Sequence, residues 1–192
     1  MSVEAMTAAP EELRLSRDAR RDFVVVVPAY NEAENMPDLV RELRATFDRY
    51  GLEGEVVLVD DGSTDGTAEI ARREAAGWDR FRVVTHRRNF GKTEAMITGA
   101  EASEGEVLVL FDADLQHSTD EIPRFLARIA EGWDIVTGRK VGRYEKRAVS
   151  GIYNRLNRLL FDVPVSDLNS MKAFRREVLD EVGSGGRRRS PA

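Results

Sequence analysis

The feature that most restricts the fold is a series of five short apolar runs: FVVVV (23–27), EVVLVD (55–60), FRVVTH (81–86), EVLVLFD (106–112) and DIVTG (134–138). They are rich in Val and Leu and mostly lack clean alternation, as expected of strands covered on both faces. Between them the spacing turns helical. Leu39, Val40, Leu43 and Phe47 form one stripe, opened by Asn35 as a cap with Pro37 in the first turn. The pattern predicts a second helix after Ser63 and Thr64 and a third after Gly91. A fourth starts from Ser118 or Thr119, because Pro123 is tolerated only near a helix start. Strands alternating with helices imply an α/β fold, a doubly wound and mainly parallel sheet with right-handed crossovers.

The length of 192 residues suits one core rather than two. The expected division is a leader over residues 1–21, one domain over 22–182, and a Gly/Arg-rich tail over 183–192. A net charge of −5 argues against a general nucleic-acid binder, which needs a basic surface to neutralise phosphates. The sequence has no cysteine, so it forms neither a disulfide framework nor a thiolate metal site. That fits a reducing, cytoplasmic setting. No apolar run has bilayer-spanning length. Arg187, Arg188 and Arg189 could touch anionic lipid, but read first as solvated charge, since stable membrane attachment takes a larger basic cluster or a second signal.

In doubly wound sheets ligands sit beyond the carboxyl ends of the strands, at a switch in strand order. Here those exits are PAYNE (28–32), DDGSTDGT (60–67), HRRNFGK (86–92), DADLQH (112–117) and GRK (138–140). All five are polar. Two look-alikes fail. The GKT at 91–93 lacks the earlier glycine of a phosphate loop, because His86 stands there. In DADLQH, His117 and Pro123 occupy the glycine and final glutamate positions of an EF-hand loop.

Asp112 and Asp114 repel each other unless a cation lies between them. One reading is a surface turn with a helix cap. The other is a divalent cation, Mg²⁺ or Mn²⁺, held by Asp114 with Asp112 and Gln116, since hard oxygen ligands suit ions that bridge carboxylates and phosphates. In PAYNE, Pro28 and Asn31 suit a turn, while Pro28, Tyr30 and Glu32 could enclose a planar base or ribose. In DDGSTDGT, Gly62 allows a bend and Ser63 or Thr64 caps a helix. Asp60 is left to accept a base N–H. Arg87, Arg88 and Lys92 read as solvated, or, for Lys92, as a cation opening a helix beside a diphosphate.

Taken together, VVVPAYNEAEN, VDDGSTDGT, RRNFGK, FDADLQH, GRK and DLNSMKAFRREVLDEV closely resemble the inverting, family 2, GT-A glycosyltransferases, over about residues 22–182. More narrowly the chain is similar to the dolichyl- and polyprenyl-phosphate sugar synthases of the dolichol-phosphate mannosyltransferase type. The resemblance implies a GT-A, Rossmann-like fold and a set of residue roles. Pro28, Tyr30, Glu32, Leu58 and Asp60 would line the nucleotide site. Asp112, Asp114 and Gln116 would hold the metal and the donor diphosphate, with the Ala113 backbone beside them. Arg139 would reach the donor phosphates or sugar, and Arg147 and Ser150 the acceptor phosphate. Asp167 and Ser170 would shape the floor of the sugar pocket.

The implied reaction moves a hexose from a GDP- or UDP-linked sugar to a dolichyl or undecaprenyl phosphate with inversion. An ionised phosphate acceptor has little need of a general base. Residues 146–161, KRAVSGIYNRLNRLLF, carry an apolar face of Ile152, Leu156, Leu159 and Leu160. This is either a helix packed on the core or an interfacial helix guiding a lipid at the membrane face.

The sequence departs from the family in two places. DLNSMKAF is one residue shorter than the usual D-x-x-S-G-F-x-x-F, which would resize the sugar or acceptor pocket. Family members also normally continue well past the REVLDEV helix, so the match is short at its C-terminal side. Rival readings are a same-fold transferase with a soluble hydroxyl acceptor and a nucleotide-sugar-binding module without turnover.

Overall fold

Residues Phe23 to Val27 are all buried, with the four valines wholly so, and the strand they form (β1, Phe23–Ala29) is the middle of the molecule. The computed structural model describes residues 15–138 and 171–179. Along it follow α1 (Met36–Tyr50), β2 (Glu55–Asp60), α2 (Thr67–Glu74), β3 (Phe81–Thr85), α3 (Lys92–Glu101), β4 (Val107–Leu110), α4 (Glu121–Ala130), β5 (Ile135–Thr137) and β6 (Lys172–Arg175).

The strands form one sheet in the order β3-β2-β1-β4-β6-β5. The pairings β1–β2, β2–β3 and β1–β4 are parallel, whereas β6 runs antiparallel to both β4 and β5. The chain winds outward from β1 to β3, then returns through α3 to place β4 on the other edge of β1. That reversal is the switch point.

Alternate residues of β1 feed two cores, which is why its sequence shows no polar face. Phe23, Val25 and Val27 pack with Leu39, Leu43 and Phe47 of α1, Ala71 of α2, and Ile122, Leu126 and Ile129 of α4. Val24 and Val26 pack with Ala95 and Ala100 of α3, Leu108 of β4 and Phe174 of β6. The α/β, mainly parallel and doubly wound architecture is as expected, with an antiparallel strand inserted beside β4.

The five anticipated strands are present, and the sixth was missed. β6 is only four residues long and begins and ends on Lys172 and Arg175, so it carries no apolar run of its own. Two helix starts also differ from expectation. α2 begins at Thr67 with Gly66, in a left-handed conformation, at its N-cap position and no side-chain cap. Ser63 and Thr64 are engaged elsewhere. α4 begins at Glu121, because Ser118 and Thr119 spend their carbonyls on a preceding turn that accepts the amides of Glu121 and Ile122. Asn35 does hold the N-cap position of α1, with Pro37 in the first turn, but its side chain makes no cap bond. It donates instead to Glu32, at 2.5 Å.

Of the expected leader, residues 15–21 pack on the domain. Leu15 is buried in the larger core, and the Arg20 carbonyl accepts the Glu53 amide at 2.6 Å. Residues 1–14 and 180–192, which hold the rest of the leader and the tail, lie outside the described residues, as does the helix expected over 146–161.

α3 can lie close on the sheet because Gly99 presents no side chain to it. A Cβ there would stand 2.4 Å from Val26 Cγ1, a stiff β-branched neighbour that cannot swing aside. Gly99→Val is therefore expected to cost about 1–3 kcal/mol of stability through overpacking. Urea unfolding checks it, and an unchanged midpoint would mean that α3 tolerates a wider spacing.

Candidate functional site

Parallel strands deliver their exits to one edge of the sheet, so the polar motifs after β1, β2, β3 and β4 meet there. The first two exits are stitched to each other. The Asn31 amide donates to the Ser63 hydroxyl at 2.9 Å, and the Thr64 amide donates back to the Asn31 side-chain carbonyl at 3.0 Å. The Glu32 amide donates to the Thr67 hydroxyl, which in turn donates to Asp65, and Asp65 also accepts the Ala33 amide. Asn31 adopts a positive φ of 55°, which Asn tolerates better than most residues. Ser63 and Thr64 thus hold the β1 turn in place of capping α2.

The second and third exits are joined through Asp61, which is buried. Its Oδ1 accepts the Phe90 amide at 2.8 Å and lies 2.8 Å from His86 Nδ1, while Oδ2 accepts the Gly91 amide at 2.7 Å. Gly62, with φ of 73°, brings the β2 turn so close to this segment that a Cβ would meet the Arg88 backbone at 2.4 Å. The third exit then reaches the fourth: Lys92 Nζ, at the start of α3, donates to Asp112 Oδ1 at 2.5 Å.

These contacts frame a cleft of about 400 Å³ between the β1 and β4 exits, on the switch point of the sheet. Its walls are Pro28, Ala29, Tyr30 and Glu32 on one side and Asp112, Ala113, Asp114 and Gln116 on the other, with Asp61, Asn89, Gly91 and Lys92 between them. Tyr30 is about half exposed, at 46%, and lines the cleft. Asp114 is exposed and accepts the Gln116 amide at 3.1 Å, across Leu115 at a positive φ of 53°. A non-glycine residue in that region is strained, and such strain clusters at functional turns.

Of the residues expected at the site, Pro28, Tyr30, Glu32, Lys92, Asp112, Ala113, Asp114 and Gln116 come together in the cleft. Two do not line it. Leu58 is wholly buried in the larger core, because its position in β2 sends its side chain toward the helices on that face. Asp60 is 3% exposed, and its carboxylate accepts the Ser63 amide at 3.1 Å. Asp61, Asn89 and Gly91 line the cleft and were not anticipated. For Asp61, the available signal was a second carboxylate straight after Asp60, one more than the turn needs. Arg139, Arg147, Ser150, Asp167 and Ser170 lie outside the described residues.

Among the described residues the cleft walls hold four carboxylates, Glu32, Asp61, Asp112 and Asp114, and one ammonium, Lys92. Such a surface repels an anion unless a cation enters with it. Among the described residues no three His, Cys, Asp or Glu side chains group to hold a metal by themselves. Two carboxylates and an amide, Asp112, Asp114 and Gln116, fit a hard divalent ion that takes its remaining oxygens from a phosphate ligand or water.

Residues 24–183 match the family model described as Glycosyl transferase family 2. The chain is 33% identical over 163 residues to an undecaprenyl-phosphate 4-deoxy-4-formamido-L-arabinose transferase of Salmonella paratyphi A, covering 82% of this chain and 50% of that protein. It thus spans about half the length of the curated relatives it matches. Among solved structures, a mannosyltransferase from Pyrobaculum calidifontis in complex with GDP-Man and Mn²⁺ superposes with a TM-score of 0.62 at 26% identity, over 84% of this chain and 46% of that one. Glucosyl-3-phosphoglycerate synthase from Mycobacterium tuberculosis shares the GT-A, Rossmann-like fold, with a TM-score of 0.65 at 23% identity over 92% of this chain and 64% of that one. Among the described residues no helix is long and apolar enough to cross a membrane.

The stitch between the first two exits is held in part by the charge of Asp65. Burial works to raise the Asp65 carboxyl, but bonds from the Thr67 hydroxyl and from the Ala33 and Thr67 amides outweigh it and hold the group below its ordinary value of 3.8. A depressed folded value stabilises the native state above the unfolded carboxyl's range, and that stability is lost as pH falls through the folded value. Asp65→Asn is expected to lower the urea midpoint at pH 7, with the gap to the parent narrowing progressively below pH 3.8. A gap independent of pH would show that the charge of Asp65 contributes nothing.

Proposed function

The chain belongs to glycosyl transferase family 2, and from that premise we propose that its cleft binds a nucleotide-diphosphate sugar whose hexose passes to a polyprenyl phosphate. One observation carries this reading: Asp112 and Asp114 stand at the β4 exit facing Tyr30 and Glu32 of the β1 exit, with Lys92 paired to Asp112. The arrangement gives each part of a nucleotide diphosphate a partner. Tyr30 offers a ring face to the base, Pro28 a wall, and Glu32 an acceptor for base or ribose. Lys92 and the first amides of α3 favour the diphosphate.

Asp112, Asp114 and Gln116 would hold Mg²⁺ or Mn²⁺, which would offset the charge of the diphosphate as it leaves. The Mn²⁺ and GDP-Man complex of the Pyrobaculum mannosyltransferase supports a metal-assisted donor site. The undecaprenyl-phosphate acceptor named for the Salmonella relative supports a lipid phosphate. Its phosphate oxygen would attack the anomeric carbon opposite the leaving diphosphate and invert the centre. Because that oxygen is already ionised near neutral pH, the cleft has no need of a carboxylate to remove a proton. Arg139 is assigned to the donor phosphates, and Arg147 and Ser150 to the acceptor phosphate. A lipid acceptor would bring the chain to the cytoplasmic membrane face as a peripheral protein.

Calorimetric titration with GDP and UDP, each with and without Mn²⁺, tests the donor site, and transfer to a short polyprenyl phosphate tests the acceptor. One nucleotide is expected to bind in a Mn²⁺-dependent manner. Asp114→Ala should abolish that dependence while the urea midpoint stays at the parental value. Binding unchanged in Asp114→Ala would remove the metal assignment. Transfer to a soluble hydroxyl acceptor, and not to the lipid phosphate, would replace the polyprenyl reading.

A further inference from the structure

His86 is the first residue beyond β3, and its ring is held from both sides. Nδ1 lies 2.8 Å from Asp61 Oδ1 and Nε2 lies 2.9 Å from the Thr98 hydroxyl on α3. The Phe90 ring meets it edge-on at 5.4 Å. His86 and Asp61 side chains are 11% and 3% exposed. Since an ionised carboxylate can only accept, Nδ1 carries the proton toward Asp61, and in the neutral ring Nε2 accepts from Thr98.

Asp61 divides its two oxygens among three donors, and the other two are the amides of Phe90 and Gly91. Those amides belong to the segment that immediately precedes Lys92. The same segment rests directly on Gly62, so it has little room for a second arrangement. A continuous path of hydrogen bonds and chain thus runs from Thr98 through His86, Asp61 and Gly91 to Lys92 and the Asp112 carboxylate.

We propose that His86 is a positioning residue for the donor site: through the Asp61 carboxylate it fixes the Phe90 and Gly91 amides, and with them the placement of Lys92 against Asp112. His86 itself does not line the cleft. It acts by aiming Asp61, whose side chain would otherwise be held by the Phe90 and Gly91 amides alone. A histidine that only filled space between β3 and α3 would tolerate any side chain of similar size. A positioning histidine distinguishes its two ring nitrogens, because only Nδ1 faces Asp61.

The inference on affinity rests on the donor-site reading above, whereas the inference on the segment does not. Two variants separate the ring nitrogens: His86→Asn places an amide N–H near the position of Nδ1, and His86→Gln places one near Nε2. Amide hydrogen exchange at Phe90 and Gly91 reads the segment without any ligand, and titration with GDP and UDP in Mn²⁺ reads the donor site. His86→Gln is expected to speed exchange at both amides about tenfold, and to weaken binding of the nucleotide the parent accepts by about tenfold, the scale of one hydrogen bond to a charged group. His86→Asn should restore both toward the parent. Parental exchange in His86→Gln, or equal losses in the two variants, would overturn the proposal. A parent protein that binds neither nucleotide would retire the donor-site reading, and the exchange rates would still decide the role of His86. If His86→Gln does not fold, Thr98→Val takes its place by removing only the far anchor of the ring. Faster exchange at Phe90 and Gly91 is again expected, and unchanged exchange would overturn the proposal.

Discussion

β1 is paired in parallel along both edges, to β2 from Val24 to Ala29 and to β4 from Phe23 to Val26. Parallel pairing on both sides forces helices onto both faces, which is why the strand is apolar throughout and why its neighbours release their chains at the same edge. The cleft follows from this constraint. It opens where the chain, having wound outward from β1 to β3, returns to the other side of β1, and no helix can cover both exits there.

What occupies those exits is mostly polar because the exits must satisfy one another. Asn31, Ser63, Thr64, Asp65 and Thr67 form one set of bonds between the β1 and β2 turns. Asp61, His86 and Thr98 form a second between the β2 and β3 exits and α3. Each set meets the backbone amides of a turn, groups that would be costly to leave unpaired. The motif residues thus divide into those that build the frame and those that line the cleft: Tyr30, Glu32, Lys92, Asp112, Asp114 and Gln116.

The frame also fixes the charge of the cleft. Asp61 is already committed to two amides and His86, Asp112 to Lys92 and Glu32 to Asn35, so among the described carboxylates of the wall the exposed Asp114 carries the charge most open to an incoming ligand. On the reading proposed above, the carboxylates of the described wall call for a cation to accompany a diphosphate. That requirement, and the placement of Asp114 at a strained turn, link the sheet topology to the metal-assisted transfer proposed for the family 2 chain.

The strands, three of the four helix positions to within a residue or two, and most of the cleft wall could be read from the chain, because each is marked by local chemistry: apolar runs for β1 to β5, Pro37 and Gly91 at helix starts, and carboxylates just past a buried strand. Asp114 and Tyr30 were visible for that reason. β6 was not, since four residues flanked by Lys172 and Arg175 become a strand only when the edges of β4 and β5 supply its hydrogen bonds. Leu58 was placed in the cleft by resemblance and Asp60 by its position at a strand end, yet one sits within the core and the other closes its own turn; which face a strand residue meets depends on the helices packed against it. The pairing of Asp61 with His86, separated by 25 positions, leaves no local pattern. Sequence alone determined the parallel α/β plan and the chemistry available at its strand ends. Only tertiary structure decided which polar groups bond to each other and which line the cleft, because that choice is made by long-range hydrogen bonds between turns that no local propensity encodes.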